Sequence, residues 1–228
     1  MKRFVAAGAS LVALVGLVGQ ANAADLARRQ QMAVKAPYMA PLYNWSGFYV
    51  GLNGGGGFGR SSWDSPGLST GDFNLSGGVV GGTLGYNYQM GQTVFGLEGD
   101  IDWSNIKGST TTLCPGGCET ANSWLGTVRG RVGLAYDRFL PYVTGGAAFG
   151  DIRANPAGLT GAHDTNVGWT VGGGLEFALA GNWTAKAEYL YVDLGSINCS
   201  VAGCGGTAPG PSVDFRTHLI RAGLNYRF

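Results

Sequence analysis

The sequence predicts an all-β protein, an eight-stranded antiparallel up-and-down transmembrane β-barrel with long extracellular loops and short periplasmic turns. Three observations lead there. The chain opens with an export signal. Charged residues make up 13% of its 228 positions and glycine fills 42, against about 25% and ~7% in soluble domains. Past the signal, no apolar run approaches the ~18 residues of a membrane helix. A chain that is exported, poor in charge and without a spanning helix satisfies its backbone in lipid as a closed barrel. There is no G-X-Y period, which excludes collagen.

The elements follow in chain order. Residues 1–23 read as a signal peptide: Lys2 and Arg3, an apolar stretch over 4–18, and the small-x-small site Ala21-Asn22-Ala23, with cleavage after Ala23. Removing Lys2 and Arg3 from 15 basic groups leaves near-neutrality against 14 acids, so nothing points to nucleic acid. Residues 24–44 form a periplasmic N-terminal segment without clear period, a tether or a thread toward the barrel mouth. The barrel domain is 45–228.

In the first strand, Phe48, Val50, Leu52, Gly54, Gly56 and Phe58 share one parity. Its "NGGGGFG" contains a G-x-G-x-x-G, but turn residues follow it where a nucleotide-binding fold starts a helix. The glycines instead relieve crowding in a narrow lumen. Seven more strands follow, over 80–89, 93–103, 124–136, 142–150, 167–177, 183–191 and 217–228; both faces of the fifth are small or apolar, which leaves its phase open. Charges on one strand share a parity: Glu98/Asp100/Asp102, Arg129/Arg131, Lys186/Glu188 and Arg221/Arg227. Random scatter does this about one time in 32 on period-2 strands. A charge on the lipid face costs ~2–4 kcal/mol at the midplane, so these groups face the lumen.

The expected lumen network is Glu98, Asp100, Asp102, Glu176 and Glu188 against Arg129, Arg131, Lys186, Arg221 and Arg227. A symmetric hairpin sets Glu98 opposite Arg131 and Asp100 opposite Arg129, with Glu188 near Arg221. Eight strands enclose just enough room for side chains, which favours a paired plug over an ion path. Long connections (61–72, 107–121, 153–166, 196–216) alternate with short ones (90–92, 137–140, 178–182), placing both termini in the periplasm.

All four cysteines lie in long connections, Cys114 and Cys118 in "CPGGC", Cys199 and Cys204 in "CSVAGC". An oxidising envelope favours two local disulfides, although four cysteines allow three connectivities. Neither pair has the C-x₂-C spacing of a zinc site, and no metal or cofactor is expected. His163 reads as a solvated loop residue. His218 near Ser196 or Ser212 is too thin a set for a hydrolase, so the chain reads as non-enzymatic.

"WSGFYVGLNGGGGFG" (45–59), "TVRGRVGLAYDRFLPYVTGGAAFG" (127–150), "GWTVGGGLEFALAGNWTAKAEYLYVDLG" (168–195) and the ending "HLIRAGLNYRF" resemble the small outer-membrane β-barrel (porin-family) surface proteins of alphaproteobacteria. The resemblance spans 45–228. It implies the outer membrane of a Gram-negative bacterium, outer-membrane lipid as the surroundings, and an assembly signal at Tyr226 and Phe228 read by the barrel assembly machinery. It further implies an envelope-structural and surface-display role. The alternatives are a passive small-solute pore, or a surface receptor whose loops take haemin or a host ligand.

Overall fold

The computed structural model describes residues 43–65, 67–112, 116–158, 160–200, 204 and 210–228. The signal-peptide reading and most of 24–44 lie outside them. Eight long strands form one antiparallel sheet: β1 (Gly47–Ser65), β3 (Phe73–Met90), β4 (Thr93–Thr110), β5 (Cys118–Leu134), β6 (Phe139–Pro156), β7 (Ala162–Ala178), β8 (Trp183–Asn198) and β9 (Ser212–Arg227). A two-residue strand, β2 (Leu68–Ser69), folds back on the end of β1. Each long strand pairs with the next, and β1 also pairs with β9 from Tyr49↔Arg227 to Asp64↔Ser212. That last ladder closes the barrel and removes both sheet edges. Among the described residues no helix is long and apolar enough to cross a membrane.

Outward positions form an apolar belt, with Leu52 75% and Leu97 69% exposed. Aromatic side chains bound the belt at both rims. Phe48, Tyr86, Trp183, Tyr226 and Phe228 lie near the end where β1 begins and β9 finishes, called the terminal end; Phe58, Trp103, Trp169 and Tyr191 lie toward the other, the loop end. From Phe48 to Phe58 β1 advances ten residues. At ~3.3 Å per residue and a tilt near 40° this is about 25 Å, the height of a barrel's lipid band.

The strands are 16 to 19 residues long, well past the ~9–11 that span a bilayer. Much of what reads as loop from sequence is therefore strand that continues beyond the belt. Irregularities sit where the strands leave it, between Trp103 and Ile106, Ala121 and Leu125, and Asp193 and Ser196. In β5 and β8 the extra residue swaps the inward parity, so that Asn122 and Ile197 are buried although Leu125 and Val192 already face in. Gly195 carries the positive φ (+70°) that the β8 bulge needs.

The glycines of β1 divide by face. A Cβ on inward Gly55 would meet the Ile220 carbonyl oxygen and the Arg221 Cα at 2.8 Å, whereas one on outward Gly54 would meet no atom closer than 3.6 Å. Steric relief therefore applies to the inward glycines and not to the outward ones. The phase of β6, open from sequence, has Leu140, Tyr142, Thr144 and Ala148 inward and Val143 outward.

Candidate functional site

The barrel interior is stacked in three layers. At the terminal end, Trp45, Val94, Ala135, Leu140 and Ala178 form an apolar cluster with Tyr43 against it. Trp45 is 1% exposed. Its backbone N–H donates to Gln89 Oε1 at 2.7 Å, and its indole N–H donates to the Asp137 carbonyl at 3.1 Å. Residues 43–46, just before β1, thus turn into the mouth of the barrel. Outside the membrane span, burial first of all holds the Tyr43 phenol above its ordinary pKa, opposed by Arg227.

The middle layer is ionic. Arg129 donates to Glu98 at 2.5 Å, Asp100 at 2.7 Å and Glu188 at 2.8 Å, with its Nε on Thr127 at 2.8 Å. Arg131 reaches Glu176 at 2.5 Å and Glu98 at 3.4 Å. Its guanidinium lies 4.3 Å over the Tyr142 ring. Arg221 joins Asp100 at 2.9 Å and Glu188 at 2.6 Å, and also pairs with Asp102. Lys186 donates to Glu98 at 3.0 Å. Every one of these side chains is buried. The shared parity of each strand brings them together, and glycine makes room: a Cβ at Gly96 would stand 2.7 Å from Arg131 Cγ.

Three expectations need correction. Arg227 is outside the network. It is the last residue of β9, beyond the ionic layer, where its guanidinium stacks 4.4 Å over Tyr43 and donates to the Asn44 carbonyl. Among the described residues the ionic layer accordingly holds four cations against five carboxylates, not five against five. The β4–β5 register also differs by two residues, with Glu98 opposite Arg129 and Asp100 opposite Thr127. The ladder does not follow one symmetric loop: pairs beyond the belt, from Ile106↔Asn122 to Thr110↔Cys118, are offset by one residue from those within it at the irregularity between Trp103 and Ile106, and neither stretch matches the expected pairing. Glu188 does sit opposite Arg221.

Two tyrosines, outside the charge pattern, also join the ionic layer. The Tyr49 hydroxyl donates to Glu98 at 2.6 Å, and the Tyr142 hydroxyl donates to Glu188 at 3.1 Å. Tyr49 was recoverable from its parity; Tyr142 depended on the phase of β6.

The third layer, toward the loop end, is an apolar core that includes Trp63, Leu75, Ile106, Ile152, Leu194 and Phe215. Cys199 and Cys204 form a disulfide that packs into it. Cys118 is disulfide-bonded and buried in the same core, while Cys114 lies outside the described residues. Asp151, a buried acid not anticipated from sequence, accepts the Ser123 and Trp124 backbone N–H groups at 2.7 and 3.0 Å, satisfying donors that the β5 bulge frees from the ladder. His163 is exposed opposite Arg153, beside a surface cleft of about 320 Å³. Among the described residues no group of three or more His, Cys, Asp or Glu is placed to hold a metal ion. Tyr226 and Phe228 are outward at the terminal rim, their rings 5.4 Å apart edge to face.

Comparison with known proteins agrees with this architecture. Residues 10–228 match the family described as outer membrane protein beta-barrel domain. A 31 kDa outer-membrane immunogenic protein of Brucella melitensis is 37% identical over 85% of this chain and 88% of its own. A 25 kDa outer-membrane immunogenic protein of Brucella abortus is 36% identical over 95% of this chain and 94% of its own. A 22 kDa outer membrane protein of Rhizobium leguminosarum is 37% identical over 72% and 71% respectively. None of these names describes an enzyme.

Proposed function

The chain belongs to the outer membrane protein beta-barrel domain family of Gram-negative bacteria, and from that premise we propose that it works by recognition at the cell surface, not by passing solutes. The observation that carries this reading is the filled interior. Trp45, Leu140, Glu98, Arg129, Leu190 and Phe215, drawn from all three layers, are each no more than 2% exposed. A path for solute would have to break an apolar seal, a multiply bonded ionic layer and a second apolar seal in series.

What remains to act is the loop end. There the strands continue past the lipid belt on a packed apolar core, with the Cys199–Cys204 disulfide tying the last connection to it. Such a scaffold holds the strand ends from which the connections spring in fixed relation, which lowers the ordering cost of binding. The name "immunogenic", borne by the Brucella relatives, supports display at the surface. The alternating connection lengths support an orientation with both termini in the periplasm. An envelope-structural contribution follows from the same rigid barrel and does not compete with this role.

The test uses intact cells producing the full chain or a variant in which 157–161, the β6–β7 tip, is replaced by a minimal turn. Each is titrated with haemin and with immobilised host-cell surface glycoprotein. Saturable binding that the tip variant loses, with equal folded barrel in both, supports recognition. Absence of saturable binding to either probe, or binding that survives both this change and His163→Ala, refutes it.

A further inference from the structure

On the outer wall, just beyond the aromatic rim of the loop end, two arginines stand directly opposite one another. Arg60 of β1 and Arg216 of β9 are cross-strand partners, an arrangement of like charges that destabilises a sheet unless an anion lies between them. Their present partners are weak. Arg60 reaches Asp72 at 3.6 Å and Arg216 reaches Asp193 at 3.4 Å, with the arginine side chains 70% and 59% exposed, a setting in which ion pairs contribute little.

The floor below them is aromatic. One pleat toward the midplane, Phe58 and His218 are themselves cross-strand partners and stack at 5.3 Å. His218 Nδ1 is 2.6 Å from the Tyr189 hydroxyl, and Tyr191 lies 5.2 Å from the imidazole. Above this floor opens a groove of about 590 Å³, lined by both arginines together with Asn74, Ser62, Asp72 and Asp214. Amphipathic rings mark the level where acyl chains give way to headgroups. The guanidiniums therefore sit at headgroup height, with a fork geometry suited to phosphate oxygens.

We propose that this groove binds the phosphorylated headgroup of an outer-leaflet lipid, a lipid A phosphate held between Arg60 and Arg216, with its acyl chains descending over Phe58 and His218. Asp72, the ion-pair partner of Arg60, and Asp214 repel a phosphate on their own, so the binding proposed here requires a divalent cation between carboxylate and phosphate, which the titration below supplies as Mg²⁺. The site lies on the barrel wall and is independent of recognition at the loop tips.

The experiment titrates the full-length folded barrel, in detergent with fixed Mg²⁺, with bis-phosphorylated lipid A and with its dephosphorylated form, and reads bound lipid by native mass spectrometry. The wild-type protein is expected to prefer the phosphorylated lipid about tenfold. Arg60→Gln/Arg216→Gln is expected to abolish the preference, while Arg153→Gln, outside the groove, retains it. Heat-dependent electrophoretic mobility establishes that each variant is folded, and single Arg216→Gln is read, with a smaller loss expected, if the double variant is not. Equal binding of the two lipids by wild type, or a preference that survives removal of the arginines, overturns the proposal.

Discussion

Arg129→Met is the sharpest single test of the ionic layer. The side chain is fully buried and bonded to three carboxylates, Glu98, Asp100 and Glu188, at 2.5–2.8 Å. Methionine keeps much of the length and removes the charge, leaving five carboxylates to share Arg131, Lys186 and Arg221. Breaking one buried pair costs ~3–5 kcal/mol because the abandoned charge stays desolvated. If the lumen were water-filled, the effective dielectric would be high and the loss would fall toward the ~0–1 kcal/mol of exposed pairs. The assay is urea unfolding in lipid vesicles, read by the mobility shift between folded and unfolded chain. With a slope near 2 kcal/mol per molar urea, a 4 kcal/mol loss lowers the midpoint by about 2 M. Adding Glu98→Gln removes one of the stranded charges, so the double variant is expected to recover part of the loss, with a coupling of about 1–3 kcal/mol. A midpoint within ~0.3 M of wild type for Arg129→Met refutes the sealed layer.

The other expectations concern the wall, the loops and assembly. Leu97→Arg, on the lipid face, lowers stability in vesicles by ~2–4 kcal/mol, measured by the same titration. Gly55→Val prevents folding because its side chain meets the β9 backbone, whereas Gly54→Ala folds normally in a refolding-yield assay. Cys204→Ser removes the Cys199 disulfide and lowers the urea midpoint by the equivalent of roughly 2 kcal/mol, as expected for so short a closed loop. Phe228→Ala reduces folded protein in cells, measured by heat-modifiable mobility, and leaves spontaneous refolding into detergent unchanged, since the expected signal acts on the assembly machinery.

Within the lipid belt the sequence was readable because the physics there has period 2. Charges are expensive on one face and can be paired on the other, so Glu98, Asp100, Arg129, Arg131 and Arg221 were placed by parity alone. Parity stops being informative where strands leave the bilayer. Beyond the belt the β5 and β8 bulges swap the inward residues, and Asn122 and Ile197 turn in against the count. The apolar third layer was hidden for the same reason: Ile106, Ile152 and Phe215 either lie in connections read as loops or, like Ile106, beyond the expected strand end. Arg227 shared the parity of Arg221 but lies six residues further down β9, past the ionic layer. Parity records which face a side chain takes and carries nothing about its depth along the axis. Register, too, is a property of the whole hairpin, which is why Glu98 meets Arg129 across the ladder and not Arg131.

Single-channel recording of the refolded full-length barrel in a planar bilayer addresses the central claim most directly. With apolar seals above and below an ionic layer whose members are all buried, wild type is expected to insert without conductance steps, at either polarity and in high salt. Reproducible open-channel steps from the wild-type protein, growing with salt concentration, would contradict the claim that its interior is closed.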